Sequence, residues 1–555
     1  MLEHISQSCL PIMQQIHILR KKWKYRGEGN ANLVIALPQE KVILRLHKSH
    51  KDAIIKPEMQ SEEEDHVRRE ALFCTFVMVP LLGRAYIQPP IPAIINSAEI
   101  RKLHDELLHH RPESRHHKVV RCGNVTIYPD YTLLPEWLYQ KFTSLYLDAP
   151  ITTNYINSNK IFELRCEHIS KEKDIDGLAR IRINDDKRSP INSAHIKYPT
   201  APSKCRNKRL CPLIMKRNFD SNFHNLLYQN QLPLGLKSTP TYCVEIKPKQ
   251  GWLPSVDRRY PKCTFCLNQF LKLANHTVKV RSEYCPLDLF SGDSLRMKKA
   301  IGALLKTPQN NLKIFKDGQL VYSEESNSDV ATILQQWLEP SALNTNSKWL
   351  VEKFTCLVHN ALTSNLLDED SYPKIAHPTT SLPSPEYTDR IPLRDLSALA
   401  PPCDWSSSPL PKNCILDRIL RIQKLEKTGS ENIYKMYKSV VNKVNDYDYV
   451  ENLGESDHNN LSLDNLQCYL LATTAKDCSI LIAFQSLQHL KLIRPVCCDK
   501  NIAQDLDGVN YLWNIGVSDL DPKPLSCIEK HKKRDCDVIT ACTKFLENSL
   551  SLRPS

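Results

Sequence analysis

Trp23-Lys-Tyr-Arg-Gly-Glu-Gly-Asn-Ala-Asn-Leu-Val-Ile-Ala-Leu37 is the stretch on which the fold turns. Its ends carry aromatic and β-branched side chains suited to a pleated, half-buried surface, and its middle carries Gly27 and Gly29. Glycine makes up only 14 of 555 residues, roughly a third of the usual share of about 7%, so two so close together mark a turn that needs them. In a dinucleotide-binding unit such glycines would open a helix. Here Leu33, Val34 and Ile35 follow, so the stretch reads as a hairpin whose glycine turn can approach a ligand's phosphates.

Working outward, Lys41-Val-Ile-Leu-Arg-Leu46 reads as the next strand, with Arg45 among apolar neighbours. Such an arginine either points at a nucleotide phosphate or is an edge-strand charge, and the sequence leaves both open. Ser61 to Val79 is helical, with Glu62 to Asp65 in its first turn, where acids suit the helix dipole, and Pro80 is expected to end it. Val119 to Pro129 is β-rich, and Asp130 and Tyr131 begin a connection onward.

Composition sets the bounds. The chain is 41% apolar and 25% charged, which predicts a globular, soluble protein with more than one domain or lobe. A formal net charge of +12 points to an anionic partner, whether nucleic acid, membrane phosphate or a small polyphosphate. No apolar window is long enough to span a membrane, and the N-terminus is not built like a secretory signal. The 20 cysteines lack framework spacing and read as reduced thiols. Cys263-x-x-Cys266 has half the spacing of a zinc site, and no second pair follows at zinc-ribbon distance. Buried thiols are therefore the expectation.

Chemistry concentrates in the second half. Tyr242 to Ile246 reads as a strand running into Glu245-Ile-Lys-Pro-Lys-Gln-Gly-Trp-Leu-Pro254. On an extended backbone Lys247 and Lys249 project to one side, where either water or a polyanion must screen them. Asp477 precedes the β run Cys478 to Phe484, and Asp519 follows the β run Tyr511 to Val517. One acid orienting or deprotonating a hydroxyl while another holds magnesium is a pattern phosphoryl transfer uses, although each could be a turn aspartate. Lys523 follows near the second acid, and Gln269 and Lys272 share a helix face. Lys530 to Arg534 is a basic run that reads as surface charge or a nuclear-localisation signal.

Six segments then form a resemblance. Trp23-x-Tyr-Arg-Gly-Glu-Gly-Asn-Ala-Asn-Leu-Val34, Glu245-Ile-Lys-Pro-Lys-x-Gly-x-Leu-Pro254, Tyr284-Cys-Pro-Leu-Asp-Leu-Phe-Ser-Gly292, Thr307-Pro-Gln-Asn-Asn311, Ala475-Lys-Asp-Cys-Ser-Ile480 and Asp519-Leu-Asp-x-Lys-Pro524 together resemble the inositol-pentakisphosphate 2-kinase family. The resemblance implies an α+β, two-lobed kinase-like fold with a β-rich N-lobe and a larger mixed C-lobe. It implies that ATP and magnesium are used to phosphorylate the 2-hydroxyl of inositol pentakisphosphate, giving the hexakisphosphate, phytate. By that likeness Gly27, Glu28, Gly29, Asn30, Asn32 and Arg45 serve the nucleotide, and Asp519, with Asp477, serves the metal. Asp477 is the catalytic base with Lys247 beside it. Lys247, Lys249, Lys272, Asn310, Asn311, Lys523 and Arg115 hold substrate phosphates. The chain departs from the pattern at Asn268, Cys527 and His531, where the family would carry histidine, arginine and tyrosine, and at Pro522, which replaces an apolar residue.

The expected organisation is an N-lobe over 18–134, an insertion over 135–240 and a C-lobe over 241–555, with a Pro/Ser/Asp-rich linker at 366–413. A monomer acting on small molecules, cytoplasmic or nuclear, needing neither membrane nor nucleic acid, is expected. The alternatives are a catalytically weak scaffold that binds highly phosphorylated inositols, and a nucleic-acid-binding protein suggested by charge alone.

Overall fold

A computed structural model of the chain describes residues 13–29, 31–50, 57–120, 123–146, 239–326, 328–340, 346–367, 372–376, 402–444, 460–488, 490 and 499–551. The glycine stretch is a hairpin within a six-stranded sheet of β1 (Gln14–Ile16), β2 (Lys24–Glu28), β3 (Asn32–Leu37), β4 (Val42–His47), β6 (Ile91–Ile95) and β8 (Asn124–Pro129). Their order is β1-β6-β8-β4-β3-β2, and β5 (Ser49–His50) pairs with β7 (Lys118–Val119) beside them. Alternation explains the faces. Leu33, Ile35, Leu44 and Leu46 are buried against Ile100, Leu103 and Leu107 of the Ser97–Leu108 helix, each full burial being worth about 1.5–3 kcal/mol. Val34 and Arg45, paired across β3 and β4, take the other face, on which the Pro57–Phe73 helix packs.

That helix corrects one expectation. Pro80 does not end it; the backbone widens into a π-turn over Cys74–Met78, continues as Val79–Leu82 and closes at Gly83, whose φ is +101°. Pro80 falls in the first turn of the continuation, where its absent N–H costs little. The segment from Phe73 to Ile87 joins the core of the second half, packing with Ile246, Leu416 and Val517.

The second sheet contains β9 (Thr241–Ile246), β10 (Leu312–Lys316), β11 (Gln319–Tyr322), β14 (Ser479–Ser486), β15 (Ile502–Gln504) and β16 (Asn510–Ser518), in the antiparallel order β11-β10-β9-β14-β16-β15. Strand β12 (Lys374–Ala376) pairs with β13 (Asn460–Ser462) apart from it. On one face Tyr242, Val244 and Ile246 meet the helices Ser294–Lys306, Val330–Leu338 and Ser347–Thr363, with the Tyr242 and Trp337 rings stacked 5.1 Å apart. On the other, Cys243 packs with Leu134, Leu138 and Phe142 around the Glu136–Tyr146 helix. Asp293 caps the Ser294–Lys306 helix, its side chain accepting from the Arg296 N–H at 2.8 Å. Most of the expected insertion, 147–238, lies outside the described residues, as does 377–401 of the expected linker. Cys403, Trp405 and Leu410 belong to that linker reading, yet they pack against the second core. Among the described residues no helix is long and apolar enough to cross a membrane.

The hairpin is tied from beneath. Glu28 accepts from Arg111 Nε at 2.8 Å and Nη2 at 2.9 Å and pairs with Lys48, whose Nζ also donates to the Gly29 carbonyl at 2.6 Å. Burial pushes the Glu28 carboxyl up, but Arg111 and Lys48 outweigh it and hold it below the usual range. Stability from this tie is therefore complete above the ordinary glutamate pKa and is lost as pH falls through the depressed value. Glu28→Gln should destabilise the fold by about 3–5 kcal/mol, because it strips two buried cations of their carboxylate. Thermal melts at neutral and acidic pH check this: the gap between wild type and variant should shrink in acid, and equal melting at neutral pH would remove the tie from the fold's supports.

Candidate functional site

Register in the second sheet sets the site. Strand β9 runs antiparallel to β14, and β14 to β16, with Ile246 opposite Ile480 and Ser479 opposite Ser518. The residue after β9, the residue before β14 and the residue after β16 therefore emerge at one edge. These are Lys247, the Asp477–Cys478 corner and Asp519. Asn311, just before β10, joins them, its carbonyl accepting from the Lys247 N–H at 2.9 Å.

At this edge unlike charges interleave. Lys247 Nζ donates to Asp519 Oδ2 at 2.7 Å, and Ser479 Oγ donates to the same oxygen at 2.8 Å. Asp477 sits between Lys249, 3.4 Å from Oδ1, and Lys523, 3.2 Å from Oδ2. The two lysines thus diverge more than an extended chain implies: Lys249 has φ +61°, as Asp519 has φ +60°, a backbone region non-glycine residues rarely occupy. Gln423 holds the unusual turn, accepting from the Gly251 N–H at 2.8 Å and donating to the carbonyls of Lys249 at 2.9 Å and Ala475 at 3.2 Å.

Burial raises the carboxyls of both acids, but their lysine partners outweigh it, leaving Asp477 and Asp519 below the usual range and fully ionised at neutral pH. Lys249 and Lys272 move the other way: desolvation lowers both, Asp477 only partly restores Lys249, and Lys249 itself repels charge on Lys272. Lys272 donates to Gln309 at 2.8 Å, and Gln309 in turn donates to the buried Gln269 at 2.7 Å. Asn310 is exposed beside them. Asn311 is 3% exposed, and its amide nitrogen has no hydrogen-bond partner among the described residues.

The residues expected at the hairpin divide. Gly27 has φ +145° and Gly29 donates to the Asn32 carbonyl at 2.9 Å, with open space where a Cβ would stand on either glycine. Asn30 lies outside the described residues. Both Glu28 oxygens face the cations beneath the hairpin. Arg115, half-buried, offers its carbonyl to Arg111 at 2.8 Å. Arg45 is engaged by protein groups: Glu70 at 2.7 Å and both oxygens of Asp521. With its amide oxygen turned toward Arg45, Asn32 accepts from Nε at 2.9 Å and Nη2 at 2.7 Å.

Sequence reasoning missed Ser479, Gln423, Glu70 and Asp521. Ser479 had a signal, being a polar residue opening an apolar strand. Gln423 and Glu70 had none, since each sits on a helix and gains its meaning from a partner far along the chain.

The thiols are arranged in a way that their spacing did not reveal. The sulfurs of Cys263, Cys266, Cys285 and Cys403 lie within 4.8 Å of one another, with Cys263–Cys285 at 3.8 Å and Cys285–Cys403 at 3.7 Å. Zinc–thiolate bonds of about 2.3 Å in a tetrahedron place sulfurs roughly 3.8 Å apart, so these four cysteines fit structural zinc, with no position left open for catalysis. Spacing hid the set because two ligands come from other loops. The cluster braces the site: Cys263 precedes the Thr264–Ala274 helix that carries Lys272, and Tyr284, beside Cys285, donates to the Pro248 carbonyl at 2.7 Å. Metal analysis should find about one zinc per chain, and Cys285→Ser should lose it and melt lower. If the metal-free protein melts like wild type, these are reduced thiols after all.

Comparison with known proteins fits this geometry. The family model described as inositol-pentakisphosphate 2-kinase matches residues 25–537. Three curated relatives bear the same name. That of Danio rerio is 30% identical over 54% of this chain and 66% of its own length. That of Drosophila melanogaster is 28% identical over 55% and 49%, and that of Arabidopsis thaliana 29% identical over 54% and 58%. The chain thus spans about half to two thirds of the curated relatives it matches.

Proposed function

Because the chain belongs to the inositol-pentakisphosphate 2-kinase family, we propose that it transfers the terminal phosphoryl group of ATP to the 2-hydroxyl of inositol 1,3,4,5,6-pentakisphosphate, giving the hexakisphosphate. The observation that carries the reading is the interleaved edge, where two ionised carboxylates are held among three lysines from two separate segments. A polyanionic substrate explains why so many cations converge. We further propose that the two sheets are the lobes of a kinase-like fold, acting as a monomer on small molecules.

In this reading Asp477 accepts the proton of the 2-hydroxyl. While paired with Lys249 and Lys523 its carboxyl is a weak base; once substrate phosphates draw on those lysines, its basicity rises toward the task. Lys247, Lys249, Lys272 and Lys523 clamp phosphates, Asn310 and Asn311 offer amide donors, and Arg115 would reach substrate from the side of the first sheet. Gly27 and Gly29 let backbone N–H groups approach the nucleotide, with Asn30 and Asn32 beside them and Glu28 holding the turn's shape. Asp519 suits a hard divalent cation: it is ionised, its side chain is 46% exposed, and Lys247 and Ser479 orient it through one oxygen. Magnesium there, with Asp477 nearby, would neutralise charge on the transferring phosphoryl group. Most of the acceleration would come from positioning and charge stabilisation. Transfer is in line, from ATP directly to the inositol oxygen.

A scaffold that binds without transfer is not favoured, since the chain retains both acids. Cys527 is nonetheless buried, and His531 donates to or accepts from the Tyr469 hydroxyl at 2.8 Å while burial and nearby cations push its pKa down to about 3. Neither supplies a cation to the substrate.

Incubation with ATP, magnesium and the pentakisphosphate, resolved by anion exchange, should yield hexakisphosphate. Asp477→Asn should lower kcat by about 10²–10⁴ with substrate binding kept, whereas Lys247→Ala should damage both. Tight binding without product in wild type would leave only the scaffold. A pH profile tests the clamp separately. The lowered pKa values of Lys249 and Lys272 mean that the free enzyme loses these charges before pH reaches the ordinary 10.5. Hence kcat/KM for the inositol substrate should fall on the alkaline side below that value, and Lys249→Arg, whose cation does not titrate there, should move the fall upward.

A further inference from the structure

Arg45 holds two carboxylates at once. Its Nη1 donates to Glu70 Oε1 at 2.7 Å, and its two terminal nitrogens grip the two oxygens of Asp521. The partners differ in freedom. Glu70 is 5% exposed and is fixed further by Thr126 Oγ1 at 2.8 Å and by the Tyr128 hydroxyl. Asp521 has a 30% exposed side chain and belongs to the loop that follows β16. Its backbone is tied into the site, the carbonyl accepting from Thr474 Oγ1 at 3.1 Å on the helix that ends at Asp477. On the other side, Arg45 lies opposite Val34 of the glycine hairpin and opposite Thr126 of β8. The Arg45 charge also helps, after Lys247, to hold the Asp519 carboxyl down against burial.

We propose that Asp521 is a positioning residue which, through Arg45, holds the glycine hairpin of the first sheet in register with Asp519 at the edge of the second. A bidentate guanidinium–carboxylate pair is directional in a way a lysine pair is not. It therefore fixes orientation as well as distance between segments 476 residues apart. Glu70 keeps the guanidinium aimed whether or not Asp521 is engaged, so Asp521 is the member that sets the alignment. The nucleotide named in the test rests on the proposed function; the coupling of hairpin to loop does not.

The experiment uses the full-length chain as wild type, Asp521→Asn and Asp521→Glu. Steady-state kinetics with ATP, magnesium and inositol pentakisphosphate are combined with amide hydrogen exchange over residues 27–37. Asp521→Asn should raise KM for ATP about tenfold, leave KM for the inositol substrate within about twofold, and speed exchange in the hairpin. Asp521→Glu should recover part of the ATP affinity and part of the slow hairpin exchange. The inference is overturned if Asp521→Asn leaves both the ATP KM and hairpin exchange unchanged. It is equally overturned if both KM values and exchange across the whole chain worsen together, which is the signature of general destabilisation. If wild type makes no hexakisphosphate, the proposed function has failed, and hairpin exchange alone then decides for or against the coupling.

Discussion

Like charges cannot be crowded at a sheet edge unless something of opposite sign is threaded between them, and much of this chain is arranged to satisfy that constraint. Lys247 and Lys249 leave one strand only a residue apart, and each is matched to an acid from a different element: Asp519 after β16 and Asp477 before β14. The antiparallel pairing of β9, β14 and β16 makes this matching possible, because it stacks one strand end, one strand start and another strand end along the same edge. Shifting any of these strands by one residue would turn its alternating side chains over and break both the core and the pairing. The apolar face of the sheet and the charged edge thus specify one register together.

The pairing also carries a cost in backbone geometry. Lys249 and Asp519 adopt φ values near +60°, a conformation that persists only when the surroundings over-determine it. Those surroundings are visible: Gln423 bridges the Lys249 turn to the end of the Asp477 helix, and Ser479 and Lys247 fix the Asp519 carboxylate. The four-thiol cluster braces the same region from behind, through Tyr284 and the helix of Lys272. Strain and bracing fall together at the edge where the acids meet the lysines, and that coincidence is what makes this edge, among the described residues, the place where chemistry is expected.

Membership in the inositol-pentakisphosphate 2-kinase family gives the arrangement a purpose in our reading. Lysines paired to carboxylates in the free protein are held in place, and arriving phosphates exchange partners with them, releasing Asp477 from the charges that weaken it as a base. The network around Arg45 extends the same logic to the first sheet, since a single guanidinium spans the hairpin's neighbour strand, a helix and the loop beyond Asp519.

Local patterns in the sequence were enough to identify the glycine hairpin, the strands that follow it, the strand leading to Lys247 and the acids flanking the last two long strands. Each rests on residues adjacent in the chain, where side-chain alternation and turn chemistry act over a few positions. The mixed α+β class came instead from the resemblance carried by six motif segments taken together. Only the tertiary structure decided that Asp477 and Asp519 face different lysines, that Glu28 is committed to Lys48 and Arg111, that Pro80 leaves its helix unbroken, and that four scattered cysteines meet. Those outcomes depend on partners tens to hundreds of residues away, and a one-dimensional pattern carries no term for a contact whose two halves are set by the packing of whole sheets and helices.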